Sequence, residues 1–104
     1  MKTRIETDFL GSKELPADVL WGIHTARAME NFQIPGQSVN PRLLTAYVQV
    51  KKACALANKE LGFLSAEKAE AIITTCDQFH LSSFIPHLSS LQGGAGTSTN
   101  MMVN

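Results

Sequence analysis

The stretch from Asn40 to Gly62 constrains the fold most. Asn40 is a good helix N-cap, Pro41 is preorganised for the first helical position, and Gly62 can take the left-handed conformation that ends a helix. A helix of about twenty residues is therefore predicted between them. Leu43, Tyr47, Val50, Cys54, Ala57 and Leu61 recur at alternating steps of four and three. They form one apolar seam about 30 Å long, which calls for a partner helix. Lys51, Lys52 and Lys59 fall off the seam and read as a solvated face, although a lysine beside an acidic substrate also fits. Ser65 caps a second helix with an apolar stripe of Ala69, Ile72, Ile73, Cys76 and Phe79. The connection from Gly62 to Ser65 is short enough to force antiparallel packing.

On the N-terminal side of that hairpin the pattern is shorter and interrupted. Arg4-Ile5-Glu6 alternates, Gly11-Ser12-Lys13 fits a turn, and Ile5 and Leu15 are the candidate inward residues of a small hairpin or extended arm ending near Leu20. Trp21 to Phe32 suits a loop and then a short helix, closed by Pro35-Gly36. Beyond Phe79, Ser82-Ser83 and Ser89-Ser90 around Pro86 read as a connector with a broken helical turn. The predicted class is mainly α: a short β-hairpin or extended arm followed by an antiparallel helical hairpin, in one domain over residues 1–104. No internal repeat occurs.

Composition excludes several functions. Nine basic and nine acidic residues give zero formal charge without a basic cluster, so nucleic-acid and membrane-surface binding gain no support. The polar start Met1-Lys2-Thr3-Arg4-Ile5-Glu6 leads into no apolar h-region, and no run of about 18 apolar residues occurs, so neither a signal peptide nor a membrane span is predicted. Cys54 and Cys76 lack Cys-x-x-Cys spacing and read as reduced, buried thiols of a cytoplasmic protein. His80 and His87, seven apart with Pro86 between them, are poorly spaced for a metal, and none is predicted.

The chemistry is concentrated in Gln92-Gly93-Gly94-Ala95-Gly96-Thr97-Ser98-Thr99-Asn100-Met101-Met102-Val103-Asn104. Glycines let backbone N–H groups approach a ligand closely, and Thr97, Ser98 or Thr99 can cap a helix or donate to an anion. A carboxylate suits such a loop. A nucleotide phosphate does not, because the Gly-Lys-Ser/Thr ending is missing and no clear strand precedes it.

Gly93-Gly94-Ala95-Gly96-Thr97-Ser98-x-Asn100-Met101 resembles the first signature of the aspartase/fumarase superfamily, and its Gly94-Ala95-Gly96-Thr97-Ser98 core is more similar to the aspartate ammonia-lyases than to the fumarases. Further blocks resemble the same family in order and spacing: Arg4-Ile5-Glu6-Thr7-Asp8-Phe9-Leu10-Gly11, Leu15-Pro16-Ala17-Asp18, Trp21-Gly22-Ile23-His24-Thr25 and Arg27-Ala28-Met29-Glu30-Asn31-Phe32. Val50-Lys51-Lys52-Ala53 and Ala57-Asn58-Lys59-Glu60-Leu61-Gly62 are similar to its first long helix. The resemblance is weakest over Asp77–Leu91, and Met102 stands where the family usually carries asparagine.

The resemblance implies an N-terminal lyase domain of a longer protein, lacking the downstream helical bundle and C-terminal domain. The family's base, a serine in a Gly-Ser-Ser-x-Met-Pro-x-Lys-x-Asn loop, would lie downstream, so no catalytic base is expected in this segment. It further implies L-aspartate as a small dicarboxylate substrate, a homotetramer at full length and no organic cofactor. Thr97, assisted by backbone N–H groups around Gly96 and Ser98, is implied as a donor to the β-carboxylate, while Ser98 can instead cap the helix. Arg27 is implied near a substrate carboxylate or the entrance to the site, with a salt bridge to Glu30 or another acid as its alternative. Asn100 would orient the loop or touch substrate, and His24 would pack or make a structural hydrogen bond. A class II fumarase or a non-catalytic helical assembly module are the rival readings.

Overall fold

In a computed structural model, the structure describes residues 1–79, 86, 88–93 and 95–104. The elements run β1 (Thr3–Asp8), β2 (Gly11–Pro16), α1 (Ile23–Asn31), α2 (Pro41–Glu60), α3 (Ala66–Asp77) and α4 (Thr97–Val103). They form two compact units, Met1–Asn40 with Ser82–Asn104, and Pro41–Leu81. The mainly α class, the small hairpin and the helical hairpin are as expected.

In the first unit β1 and β2 pair antiparallel, Arg4 opposite Leu15 and Asp8 opposite Gly11. The reversal is at Phe9-Leu10, where Asp8 Oδ1 accepts the Leu10 N–H at 2.9 Å, a side-chain turn of the kind aspartate favours. Gly11, expected within the turn, instead opens β2. A second correction concerns facing. Residues directly opposite across an antiparallel pair share a face, and Ile5 is paired with Glu14 rather than with Leu15. Leu15 is buried with Ile23 and Ala26, with Trp21 packed against them. Ile5 is 73% exposed. The half-buried face of β1 is charged, formed by Arg4, Glu6 and Asp8.

Those charges organise the chain that follows. Arg4 donates from Nη1 to the carbonyls of Pro16 (2.9 Å) and Val19 (2.7 Å), from Nη2 to Trp21 (2.7 Å), and from Nε to Glu6 Oε1 (2.9 Å). The other Glu6 oxygen accepts the Ile23 N–H at 2.8 Å, supplying the first turn of α1 with a partner that Gly22, its N-cap, cannot provide. Glu6 approaches Gly22 closely: a Cβ there would lie 2.9 Å from Glu6 Oε2, so a larger residue would push that carboxylate aside. Past α1, the segments around Ser38 and Ser89 form a β-bridge, flanked by Val39 N–H to Leu88 O (3.3 Å) and Ser90 N–H to Gln37 O (3.0 Å). The short helix α4 packs on α1.

The second unit is the helical hairpin. Pro41 opens α2 and Gly62 is left-handed at φ +76°, so both predicted ends hold. The Asn58 carbonyl accepts the N–H groups of Phe63 (2.9 Å) and Leu64 (3.1 Å), and Ser65 Oγ caps α3 by accepting from Lys68 N at 3.4 Å. Lys52 pairs with Asp77 and Lys59 with Glu70. Seven residues up α2 thus match seven down α3, the signature of antiparallel neighbours.

The expected seam on α2 is corrected by one position. Its buried residues are Leu44, Val48 and Ala55, whereas Leu43, Val50 and Leu61 are exposed. The stripe Leu44, Val48, Lys52, Ala55 and Lys59 has helical spacing too. Its lysines lie along the helix with their charged ends on the α3 acids, so an aliphatic stem can serve as part of the packing face. Cys54 is also exposed and Cys76 half-buried, against the expectation of two buried thiols; both are free.

Candidate functional site

Three pieces distant in sequence meet in the first unit: the hairpin tip, the C-terminal half of α1 and the start of α4. They line an open cleft of about 550 Å³, with Leu10, Arg27, Glu30, Asn31, Phe32 and Ser98 among its residues. Arg27 and Ser98, two of the four residues singled out from sequence, therefore line the same open cleft. Thr97 is exposed and Asn100 half-buried, and neither belongs to the lining.

Arg27 is held by the hairpin tip. Its Nε donates to Asp8 Oδ2 at 2.7 Å and its Nη2 to Asp8 Oδ1 at 2.9 Å, with Nη2 also reaching the Gly11 carbonyl at 3.0 Å. This is a two-pronged guanidinium–carboxylate pair, the geometry that fixes an arginine most firmly. The Arg27 hydrogen bonds hold the Asp8 carboxyl below its ordinary value of 3.8, and Asp8 in turn raises Arg27. The salt bridge considered as Arg27's alternative is present with Asp8 as the acid, while Glu30, the acid named for it, pairs with Lys13. Arg27 thus brings a permanent positive charge to the cleft, partly neutralised by Asp8. A ligand carboxylate there would meet an arginine already oriented.

The loop before α4 differs from its expected form in one respect. Gly96 occupies the N-cap, left-handed at φ +69°, and has no side chain with which to cap the helix. Ser98 lies inside the first turn, so the capping alternative is removed. His24 is exposed, so the packing considered for it is absent. His80 and His87 lie outside the described residues. Among the described residues no cluster of histidine, cysteine and carboxylate side chains could hold a metal, and no helix is long and apolar enough to cross a membrane.

Gln92, Asp8, Glu6 and Arg4 were missed as site-supporting residues, and Thr99, read as a helix cap or anion donor, instead gives its hydroxyl to Gln92. Gln92 and Thr99 are buried and bonded to each other. Nothing in their spacing signals it, because the contact closes a loop rather than following a helix or strand period. For Asp8, Glu6 and Arg4 a signal existed: charges at every second position of a strand whose partner buries Leu15.

The family described as Lyase matches residues 11–104. The chain is 46% identical to aspartate ammonia-lyase of Corynebacterium glutamicum, over 99% of this chain and 20% of that protein. It is 42% identical to class II fumarate hydratase of Bacillus subtilis, over 100% of this chain and 23% of that protein. Among solved structures, the fumarate lyase:delta crystallin of Brucella melitensis in native form superposes with a TM-score of 0.89 at 42% identity, over 98% of this chain and 25% of that one. The chain spans about a fifth of the length of the curated relatives it matches.

Proposed function

The chain belongs to the lyase family, and from that membership we propose that it is the N-terminal lyase-type domain of an aspartate ammonia-lyase. The full-length enzyme converts L-aspartate to fumarate and ammonia in the cytoplasm, as a homotetramer, without an organic cofactor. The observation that carries this reading is 46% identity to an aspartate ammonia-lyase along essentially the whole chain, joined to a cleft that holds an oriented arginine and a hydroxyl donor.

The reaction removes the proton beside the β-carboxylate and then expels ammonia. Its intermediate carries two negative charges on that carboxylate, so donors aimed there must bind it more strongly than the substrate. Hydroxyls and backbone amides donate without adding a competing acid. Thr97 takes this role, with N–H groups around Gly96 and Ser98 assisting; Arg27 attracts a substrate carboxylate; Asn100 orients the loop or contacts substrate. The base serine comes from chain beyond this segment, so residues 1–104 alone are inactive.

A second reading is favoured by the 42% identity to a class II fumarate hydratase: addition of water to fumarate through the same kind of dicarboxylate intermediate. The test is a spectroscopic assay for fumarate from L-aspartate and from L-malate, run on the 104-residue chain and on the full-length protein. Fumarate from aspartate only in the longer protein is expected. Fumarate from malate instead would establish the hydratase, and activity on neither would leave a helical assembly module.

A further inference from the structure

Gln92 makes three hydrogen bonds of 2.7 Å each: Nε2 donates to the Ser89 carbonyl, and Oε1 accepts both the N–H and the hydroxyl of Thr99. Gln92 is 7% exposed, and Ser89 and Thr99 are each 3% exposed, so no water replaces a lost partner. The amide has one workable orientation. A carbonyl only accepts and a backbone N–H only donates, so the flipped amide would set donor against donor and acceptor against acceptor. The near end is anchored at Ser89 by the bridge to Ser38 and the bonds flanking it. The far end is the first turn of α4. Between them Gly93 and Gly96 are left-handed, at φ +92° and +69°, and glycine imposes little shape of its own.

We infer that Gln92 is a positioning residue for the reaction: by tying Ser89 to Thr99 it fixes the turn that carries Thr97 and holds Ser98 in the cleft it shares with Arg27. This rests on the ammonia-lyase reading. Displacement of a catalytic hydroxyl by about 1 Å lowers turnover by about a hundredfold, and the loss falls on kcat because the charge to be stabilised grows after binding.

The test uses the full-length protein carrying this chain, with kcat and KM for fumarate formation from L-aspartate measured between pH 6 and 9, well below each variant's Tm. Gln92→Glu has the same shape but, ionised, offers no donor to the Ser89 carbonyl; protonated, it offers one again. Its kcat is expected to fall by about 30- to 100-fold at high pH, with KM nearly unmoved and the deficit shrinking as pH is lowered. Thr99→Val removes one of the two Thr99 donors and should lose about tenfold, while Thr99→Ser keeps both and should stay near wild type. If Gln92→Glu does not fold, the Thr99 pair decides. Variants with wild-type kcat at every pH, or with a lowered Tm and unchanged kcat, overturn the positioning role while leaving the enzyme reading intact. A wild-type protein that makes no fumarate from aspartate overturns the reading itself, and this role with it.

Discussion

Arg4 is 30% exposed at its side chain, yet its guanidinium serves three backbone carbonyls and Glu6 at 2.7–2.9 Å. Arg4→Ala should therefore destabilise the first unit by about 2–4 kcal/mol, and Arg4→Lys should recover little, because one ammonium cannot reproduce the fork. Trp21, the single tryptophan, packs against this core, so its fluorescence in urea unfolding reads the loss. Gly22→Ala is expected to lower Tm by several degrees because its Cβ would lie 2.9 Å from Glu6 Oε2, displacing the carboxylate that holds the Ile23 N–H. In a Glu6→Ala background the same change should cost much less; an unchanged penalty would mean that the approach of Glu6 is not what requires glycine. Acid sensitivity has a definite sign here. The folded values of Asp8 and Glu6 lie below their ordinary 3.8 and 4.5, chiefly through hydrogen bonds from Arg27 and Arg4 respectively. Their stabilisation is fully present above those ordinary values and disappears as pH falls through the folded ones. The stability curve should drop below about pH 4, and Asp8→Asn should flatten that drop while lowering stability at neutral pH. An equally steep acid limb in Asp8→Asn would remove Asp8 as a cause.

At the scale of elements, the ends of the helices and the α3 stripe of Ala69, Ile73 and Cys76 were readable, and the facing of α2 was not. Pro41, Gly62 and Ser65 act through the backbone at fixed offsets from a helix terminus, so their meaning survives without knowledge of a neighbour. Which stripe of α2 is buried depends on the partner. Leu43, Tyr47 and Cys54 have the same spacing as Leu44, Val48 and Ala55, and the choice between them follows from where the acids of α3 meet Lys52 and Lys59. The hairpin failed in the same way: a turn at Phe9-Leu10 set by Asp8 shifts the register and turns Ile5 outward. The α2 correction can be measured by truncation. Leu44, 4% exposed, should cost about 2–4 kcal/mol as Leu44→Ala. Leu43, 49% exposed, should cost well under that as Leu43→Ala, about 1 kcal/mol or less. Circular-dichroism melts of the two variants suffice, and equal losses would restore the seam expected from sequence.

At the scale of the whole molecule, the candidate site is an outcome of assembly. Leu10, Arg27 and Ser98 come from the hairpin tip, α1 and α4, and only the glycine-rich stretch and the arginine block could be recognised along the chain. What was not read was support: Asp8 behind Arg27, which the alternating charges of β1 signalled, and Gln92 behind the turn with Thr97, which no spacing signalled. The same separation gives a prediction for the proposed ammonia-lyase, measured on the full-length protein. Thr97 is exposed at the first position of α4, so its side chain contributes little to folding and a substitution there should report on chemistry alone. Thr97→Val replaces the hydroxyl by a methyl of similar size. If Thr97 donates to the β-carboxylate as its charge grows, kcat should fall by about a hundredfold or more, the size of effect seen when one preorganised donor is removed. Thr97→Ser keeps the donor and should retain most of the rate, and Tm should move in neither. Steady-state fumarate formation beside a thermal melt is sufficient. A Thr97→Val enzyme within about threefold of wild type, a loss near only 0.7 kcal/mol, would transfer the donor role to Ser98 or to the backbone N–H groups, because removing a hydroxyl that bears on the transition state cannot be that mild.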